Sequence, residues 1–79
     1  MEQEKIIENL KKYYAFRAWA NRREKISVKE ISCELVGSEY HIRYRDKFFN
    51  PSKDGFMEKM AEIASEIKFD ENGYFQENE

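Results

Sequence analysis

Residues 26–48 alternate between apolar and polar side chains on either side of Gly37-Ser38. A glycine at the first central position is typical of a two-residue type II′ turn, which joins two antiparallel strands. An alternation with a period of two is typical of strands that bury one face. We therefore predict a β-hairpin that reverses direction at Gly37-Ser38.

The predicted turn determines which residues of the two strands face each other. The apolar pairs are Leu35 with Tyr40, Cys33 with Ile42, and Ile31 with Tyr44. The polar pairs are Glu34 with His41, Ser32 with Arg43, Glu30 with Arg45, and Lys29 with Asp46. A shift of one residue would lose both sets of pairs, so the pattern specifies a single register.

Residues 28–45 also resemble a helix-turn-helix motif, which is the alternative interpretation. In that motif, residues 28–38 would form the first helix and the turn, and the following residues would form a recognition helix that reads DNA. Glycine usually comes first in that turn and an apolar residue second, whereas here Val36 precedes Gly37. This order, together with the strict alternation over 40–45, favours the hairpin.

A helix is predicted on each side of the hairpin. Over residues 3–24, an apolar stripe at spacings of three and four consists of Ile6, Ile7, Leu10, Tyr13 and Tyr14. Phe16 points away from this stripe, towards a partner or a folded-back tail. The second helix begins at Asn50-Pro51, or with Ser52 or Asp54 as its cap, and runs to about residue 68. Its predicted buried face consists of Phe56, Met60, Ile63 and Ile67, with Met57 and Ala64 beside it.

These elements predict a small α+β fold in the order helix–β-hairpin–helix. Because a two-stranded ribbon is barely stable in water, both helices should pack on one face of it. A third short strand can form at Phe48-Phe49 or within residues 67–75. With 79 residues, the chain has room for one domain, 1–79. The acidic tail, residues 70–79, either packs back through its aromatic residues or frays.

The composition disfavours membrane proteins and most enzymes. The chain lacks the roughly 18 consecutive apolar residues of a membrane span, and so short a chain seldom builds both a core and a walled pocket. With one cysteine and one histidine, a structural zinc site is excluded. We therefore predict no catalytic residue, no cofactor and no metal. The single Cys33 cannot form an internal disulfide and indicates a reducing cytoplasm.

Charge is unevenly distributed, although the net charge is only −2. Residues 11–47 carry a net +5, and residues 48–79 carry a net −5. Every fourth position of the second helix region is acidic: Asp54, Glu58, Glu62 and Glu66. Neighbouring carboxylates repel one another on a helix. We therefore interpret them either as a solvated face or as a surface for a basic groove, including one that normally holds nucleic acid.

Twelve aromatic residues are many for so small a core, and some should be exposed. Exposed aromatic side chains often anchor protein interfaces, and the candidates are Trp19, Phe48 and Phe49. The leading hypothesis is a non-enzymatic protein that binds and regulates or inhibits another protein. A homodimer is also compatible with these features. This build is common among phage and mobile-element inhibitors, such as anti-CRISPR proteins.

The alternative function is nucleic-acid binding by a transcriptional regulator. Basic residues alternate along one predicted strand and close the first helix; they are His41, Arg43, Arg45, Lys47, Arg22 and Arg23. Such residues can contact phosphates while nearby rings stack on bases. Glu30 and Glu34 lie across the predicted hairpin and would neutralise part of this surface, and the net negative charge disfavours general nucleic-acid affinity.

Overall fold

The computed structural model describes residues 2–77. Its elements are helix α1 (Gln3–Arg22), a 3-10 turn (Val28–Glu30), strands β1 (Ser32–Val36), β2 (Glu39–Tyr44) and β3 (Lys47–Phe49), and helix α2 (Gly55–Ala64). The strands form an antiparallel sheet in the order β1-β2-β3. The predicted α+β fold is confirmed, and the third strand forms at the first of the two predicted places.

The hairpin between β1 and β2 has the predicted register. The paired residues are Ser32 with Arg43, Cys33 with Ile42, Glu34 with His41, Leu35 with Tyr40, and Val36 with Glu39. Gly37 has a φ of 63°, whereas Ser38 does not have a positive φ, as a type II′ turn requires. The helix-turn-helix interpretation is wrong, because residues 39–44 form the extended strand β2, which pairs with β1 on one side and with β3 on the other.

The ladder between β1 and β2 ends at Ser32 with Arg43, three pairs earlier than predicted, because the chain before β1 forms a 3-10 turn. The Ser27 hydroxyl accepts the Lys29 amide at 3.1 Å, and the Glu30 carboxylate accepts the Ser27 amide at 3.2 Å. This reciprocal capping box starts the turn. The Lys29 ammonium therefore donates to the Glu71 carbonyl at 3.0 Å, and its predicted pairing with Asp46 is wrong.

The segment after β3 continues along β2 in the same alignment. Glu39 pairs with Ser52, and the Tyr40 amide donates to the Pro51 carbonyl at 2.8 Å. Pro51 has no N–H, so it accepts from β2 but donates nothing in return. Asn50 and Pro51 therefore belong to the edge of the sheet, and the prediction that they begin the second helix is wrong.

Both helices and the sheet share one hydrophobic core. Its buried members on the helices are Ile6, Leu10, Tyr14, Ala15, Ala18, Met57 and Ala61, and those on the sheet are Tyr40, Ile42 and Tyr44. Leu10, Tyr40 and Ile42 are the largest side chains that are fully buried. The apolar stripe predicted for the first helix is confirmed, and both helices pack against the sheet.

Helix α2 buries a different face from the one predicted. Asp54 is its N-cap and accepts the Met57 amide at 3.0 Å, and the helix ends at Ala64 rather than near residue 68. The buried residues of α2 are Met57, Ala61 and Ala64. Their spacing of four and three matches that of the larger apolar side chains, but two alanines let α2 approach α1 closely. The predicted buried face is therefore wrong for Phe56 and Ile63, whereas Met57 and Ala64, which were predicted beside it, are buried.

Residues 69–77, here called the tail segment, fold back onto α1. Phe69 and Phe75 form a β-bridge, and the Phe75 ring lies edge-on to Phe16 with its centroid 5.0 Å away. The second surface predicted for the first helix is thus covered by the chain's own tail. The prediction for residues 78–79 lies outside the described residues.

Candidate functional site

Helix α2 presents large apolar side chains to solvent. Phe56 is 65% exposed and Ile63 is 52% exposed. Met60 lies between them, half-buried, and Ile67 extends the row through a turn in which its amide donates to the Ala64 carbonyl at 3.0 Å. We call Phe56, Met60, Ile63 and Ile67 the outer stripe. Large exposed apolar side chains that lie next to each other in this way often mark an interaction site.

The predicted acidic residues differ in what they contact. Asp54 caps α2, and Glu58 lies 3.5 Å from the Lys53 ammonium. Glu62 and Glu66 are exposed, and Glu66 stands in the turn after the helix. With about 3.6 residues per turn, these carboxylates and the outer stripe occupy opposite sides of the buried face of α2. A partner that covers the solvent half of α2 would therefore meet both.

The solvent side of the sheet carries a smaller cluster around Phe48, which is 44% exposed. The pairing of β2 with β3 places Arg43 opposite Phe48, and the guanidinium carbon lies 4.5 Å from the ring centroid. The His41 ring meets Phe48 edge-on at 5.3 Å. We call these three residues the open sheet face. The structure therefore brings together Phe48, predicted to bind protein, and His41 and Arg43, predicted to bind nucleic acid.

The histidine on this face is held by a neighbour on its own strand. His41 donates its ring N–H to the Glu39 carboxylate at 2.9 Å. Glu34 faces His41 across the hairpin as predicted, but it is not the residue that holds the ring. Residues two apart on a strand point to the same side, which brings these two together. The hydrogen bond from His41 lowers the pKa of Glu39.

The remaining basic candidates on the strands lie away from this face. Arg45 has a left-handed φ of 53° and donates to the Glu30 carboxylate and to the Lys25 carbonyl, both at 3.2 Å. The ion pair with Glu30 is the one that the hairpin register predicted. Lys47 is half-buried in β3, opposite Tyr44.

The two arginines at the end of α1 are also engaged within the chain. Arg22 donates to the Tyr44 hydroxyl at 2.8 Å and to the Glu24 carboxylate at 3.0 Å. The Glu24 hydrogen bond is the main reason that the pKa of Arg22 is raised. Arg23 lies 5.1 Å above the half-buried Trp19 ring. The structure therefore does not bring the six basic candidates onto one surface.

Phe49, another predicted anchor, belongs to the edge of the core. Its ring centroid is 5.0 Å from that of Tyr14 and 5.9 Å from that of Tyr44. The exposed residues that sequence reasoning missed are Phe56 and Ile63. Their exposure could have been anticipated from a second apolar row on the same helix, at the same spacing. That row consists of Met57, Ala61 and Ala64.

Within residues 2–77, metal-ligating side chains are not grouped into a metal site. No group of three or more histidine, cysteine or acidic residues in this range could hold a metal ion. Burial raises the pKa of the Cys33 thiol to about 11, so it stays protonated near neutral pH. No helix in the described range is long and apolar enough to cross a membrane.

No family model matches this chain, and neither a curated protein nor a solved structure matches it.

Proposed function

We propose that this protein binds and regulates another protein by inserting α2 into an apolar groove with a basic rim. The observation that carries this proposal is the exposure of the outer stripe, where Phe56 and Ile63 are more than half exposed. Burial of large apolar side chains stabilises a folded protein, whereas their exposure to water does not. A partner surface that covers the outer stripe in a complex would therefore explain why it is exposed in this chain.

The spacing of the outer stripe fits recognition of a helix by a groove. Its four side chains stand at i, i+4, i+7 and i+11, and partners that bind one helix face use anchors of this kind. Fully burying a large apolar side chain contributes about 1.5–3 kcal/mol. Helix α2 is already folded and N-capped by Asp54, so its backbone need not be ordered on binding.

The carboxylates of α2 indicate which charge the rim of the partner's groove should carry. Glu62 and Glu66 are exposed on the flank of the solvent-facing half of α2 that the outer stripe leaves open, and Glu58 pairs with the exposed Lys53. A groove that covers the solvent half of α2 would meet these carboxylates with one wall. Lysine or arginine side chains on that wall would complement them and accelerate association at low salt.

The test of the apolar contact compares two serine variants with the unmodified protein. Phe56→Ser with Ile63→Ser removes the two most exposed side chains of the outer stripe, whereas Val36→Ser removes an apolar side chain that is 42% exposed at the end of β1. Partner capture followed by measurement of the dissociation constant should show at least a tenfold loss for the first variant only. Unchanged affinity of the double variant, with an unchanged circular dichroism spectrum, would reject the proposal.

The test of the basic rim replaces Glu58, Glu62 and Glu66 by glutamine. The variant should bind the same partner more weakly, and its affinity should depend less on salt concentration. Its fold should persist, because neighbouring carboxylates on α2 repel each other. An unchanged salt dependence would remove these carboxylates from the interface.

Nucleic-acid binding is a second candidate, favoured by the open sheet face. Arg43 and Phe48 together offer a cation and a ring on which a base can stack. Single-stranded DNA or RNA should then shift in a gel, and Arg43→Ala should abolish the shift. No shift even at about 50 mM salt, where phosphate contacts are strong, would reject this candidate.

A further inference from the structure

A groove of about 270 Å³ lies between the second half of α1 and the tail segment. Its apolar floor includes Ala15 and Ile26, both buried. Its aromatic lining consists of Trp19 on α1 and Tyr74 and Phe75 on the tail segment. We call this site the tail groove. Its volume lies below that of most cofactor pockets and suits a single side chain.

The tail wall of the groove is held rigidly in place. One carboxylate oxygen of Asp70 accepts the amides of Asn72 at 2.9 Å and Tyr74 at 3.0 Å. The carbonyl of the buried Gly73 accepts the Val28 amide at 2.9 Å, which fastens the segment to the start of the 3-10 turn. The groove is therefore formed before a ligand binds, and binding does not include the free-energy cost of ordering the tail segment.

The charges around the groove favour a cation. Glu24, Asp70 and Glu77 contribute carboxylates to the lining, and Lys25 is the only cation in it. The Arg22 guanidinium pairs with Glu24 at 3.0 Å, so that carboxylate is partly neutralised. The other two acidic residues of the lining are Asp70, one oxygen of which already accepts two amides of the tail segment, and Glu77.

The aromatic rings of the groove already attract cations from the chain itself. The Arg23 guanidinium lies 5.1 Å from the Trp19 centroid, and the Lys25 ammonium lies 6.0 Å from the Tyr74 centroid. Such cation–π contacts are favourable, and more so when water is excluded. Lys25 reaches the Tyr74 ring only at the outer limit of such a contact, so it occupies the rim without filling the groove.

We propose that the tail groove binds a lysine side chain of a partner protein. The four-carbon stem would lie on the apolar floor beside Trp19, and the ammonium would meet Asp70 and Glu77. A long amphipathic side chain is suited to a site that is apolar below and anionic at its mouth. This site is separate from the outer stripe of α2, and it stands or falls independently of the proposed function.

The test uses the only tryptophan of the chain as its reporter. Titration of the full chain with Nα-acetyl-lysinamide should change Trp19 fluorescence with a dissociation constant in the millimolar range, on the order of 4 kcal/mol for one side chain. The matched control ligand is the same molecule with its ε-amine acetylated, which is neutral and should give no saturable change.

Two variants sharpen the result in opposite directions. Lys25→Met removes the competing ammonium and should lower the dissociation constant about threefold. Glu77→Gln removes a carboxylate from the mouth and should raise it about threefold. Glu34→Gln, an exposed position on β1 outside the groove, is the control and should match the unmodified protein.

Three results would overturn the proposal. The first is an equal response to the neutral ligand, and the second is the absence of saturation with the cationic one. The third is saturation by putrescine while Nα-acetyl-lysinamide gives no response, which would indicate a site for free diamines instead. The variant Phe56→Ser with Ile63→Ser should titrate like the unmodified protein, which separates this test from that of α2.

Discussion

The two helices pack against the same core in opposite ways. Helix α1 turns its large apolar side chains inward, with Leu10 fully buried and Ile6 and Tyr14 nearly so. Helix α2 turns Met57 and two alanines inward and leaves Phe56 and Ile63 mostly in water. Hydrophobicity alone therefore does not determine which face of a helix is buried.

The ends of the two helices differ in the same sense. Helix α1 has 20 residues and no side-chain N-cap, whereas α2 has 10 residues and is capped by Asp54. A long helix with a large buried face is stabilised mainly by packing. A short helix that buries mostly alanines gains less from packing, so its capping hydrogen bond matters more.

The largest predicted effect separates the two apolar stripes directly. Leu10→Ala should lower the free energy of unfolding by about 2–5 kcal/mol, because it leaves a cavity in the core. Phe56→Ala should change it by no more than about 0.5 kcal/mol, because that ring is mostly in water. Urea denaturation of the two variants measures the difference. Comparable losses would mean that the outer stripe is part of the core.

The next effect concerns the tail segment packed on α1. A Cβ at Gly73 would stand 2.5 Å from the Ser27 hydroxyl oxygen, and the residue has a φ of 90°. Gly73→Ala should therefore cost about 1–3 kcal/mol through strain and displacement of the tail. Gly37→Ala shares the positive φ but has open space around it, so it should cost less. Thermal unfolding compares the two, and the reverse order would contradict this packing.

A smaller effect should distinguish the two helix starts. Asp54→Ala should destabilise the protein by about 1 kcal/mol, because the Met57 amide loses its acceptor, and Asp54→Ser should restore most of it. Glu2→Ala should have no measurable effect, since Glu2 makes no side-chain cap hydrogen bond. Chemical denaturation of the three variants provides the measurement, and equal losses at both ends would refute the contrast.

The smallest effect at neutral pH is a pH dependence of the stability that comes from the thiol of Cys33, on β1. Burial raises the pKa of Cys33 from its ordinary 9.0 to about 11. The stability that this protonated thiol contributes is fully present below pH 9 and is lost as the pH rises towards 11, because the unfolded chain ionises first. Near neutral pH the ionisation of this group has no effect on stability, because the thiol is protonated in both the folded and the unfolded chain.

Burial raises the pKa of Tyr14 as well, so the Cys33 effect must be read as a difference between two proteins. The melting temperature of the unmodified protein should therefore fall more steeply above pH 9 than that of Cys33→Ala. Parallel pH profiles of the two proteins would show that the thiol does not contribute.

Much of the fold could be predicted because its signals are local. A glycine at the first turn position and the alternation on both sides of it determine which residues of β1 and β2 face each other, since a shift would expose Ile42 and bury Arg43. Likewise, the stripe that contains Leu10 and Tyr14 does not compete with a second apolar face for burial. The 3-10 turn at residues 28–30 could not be predicted, because the local pattern there also fits a strand. The turn is favoured only when the tail segment is in place, since the Gly73 carbonyl accepts the Val28 amide and the Asn72 carbonyl accepts the Ser27 hydroxyl.

The candidate site was less predictable because it depends on packing between distant segments. The sequence by itself determined that α2 carries two apolar rows and a row of carboxylates. Only the tertiary structure decided that the alanine row packs inward, since the aromatic side chains of α1 and β2 already fill the core and leave room for a close helix approach rather than for Phe56. The tail groove arose in the same way, because Trp19 and Tyr74 are far apart in sequence and meet only when the tail folds back.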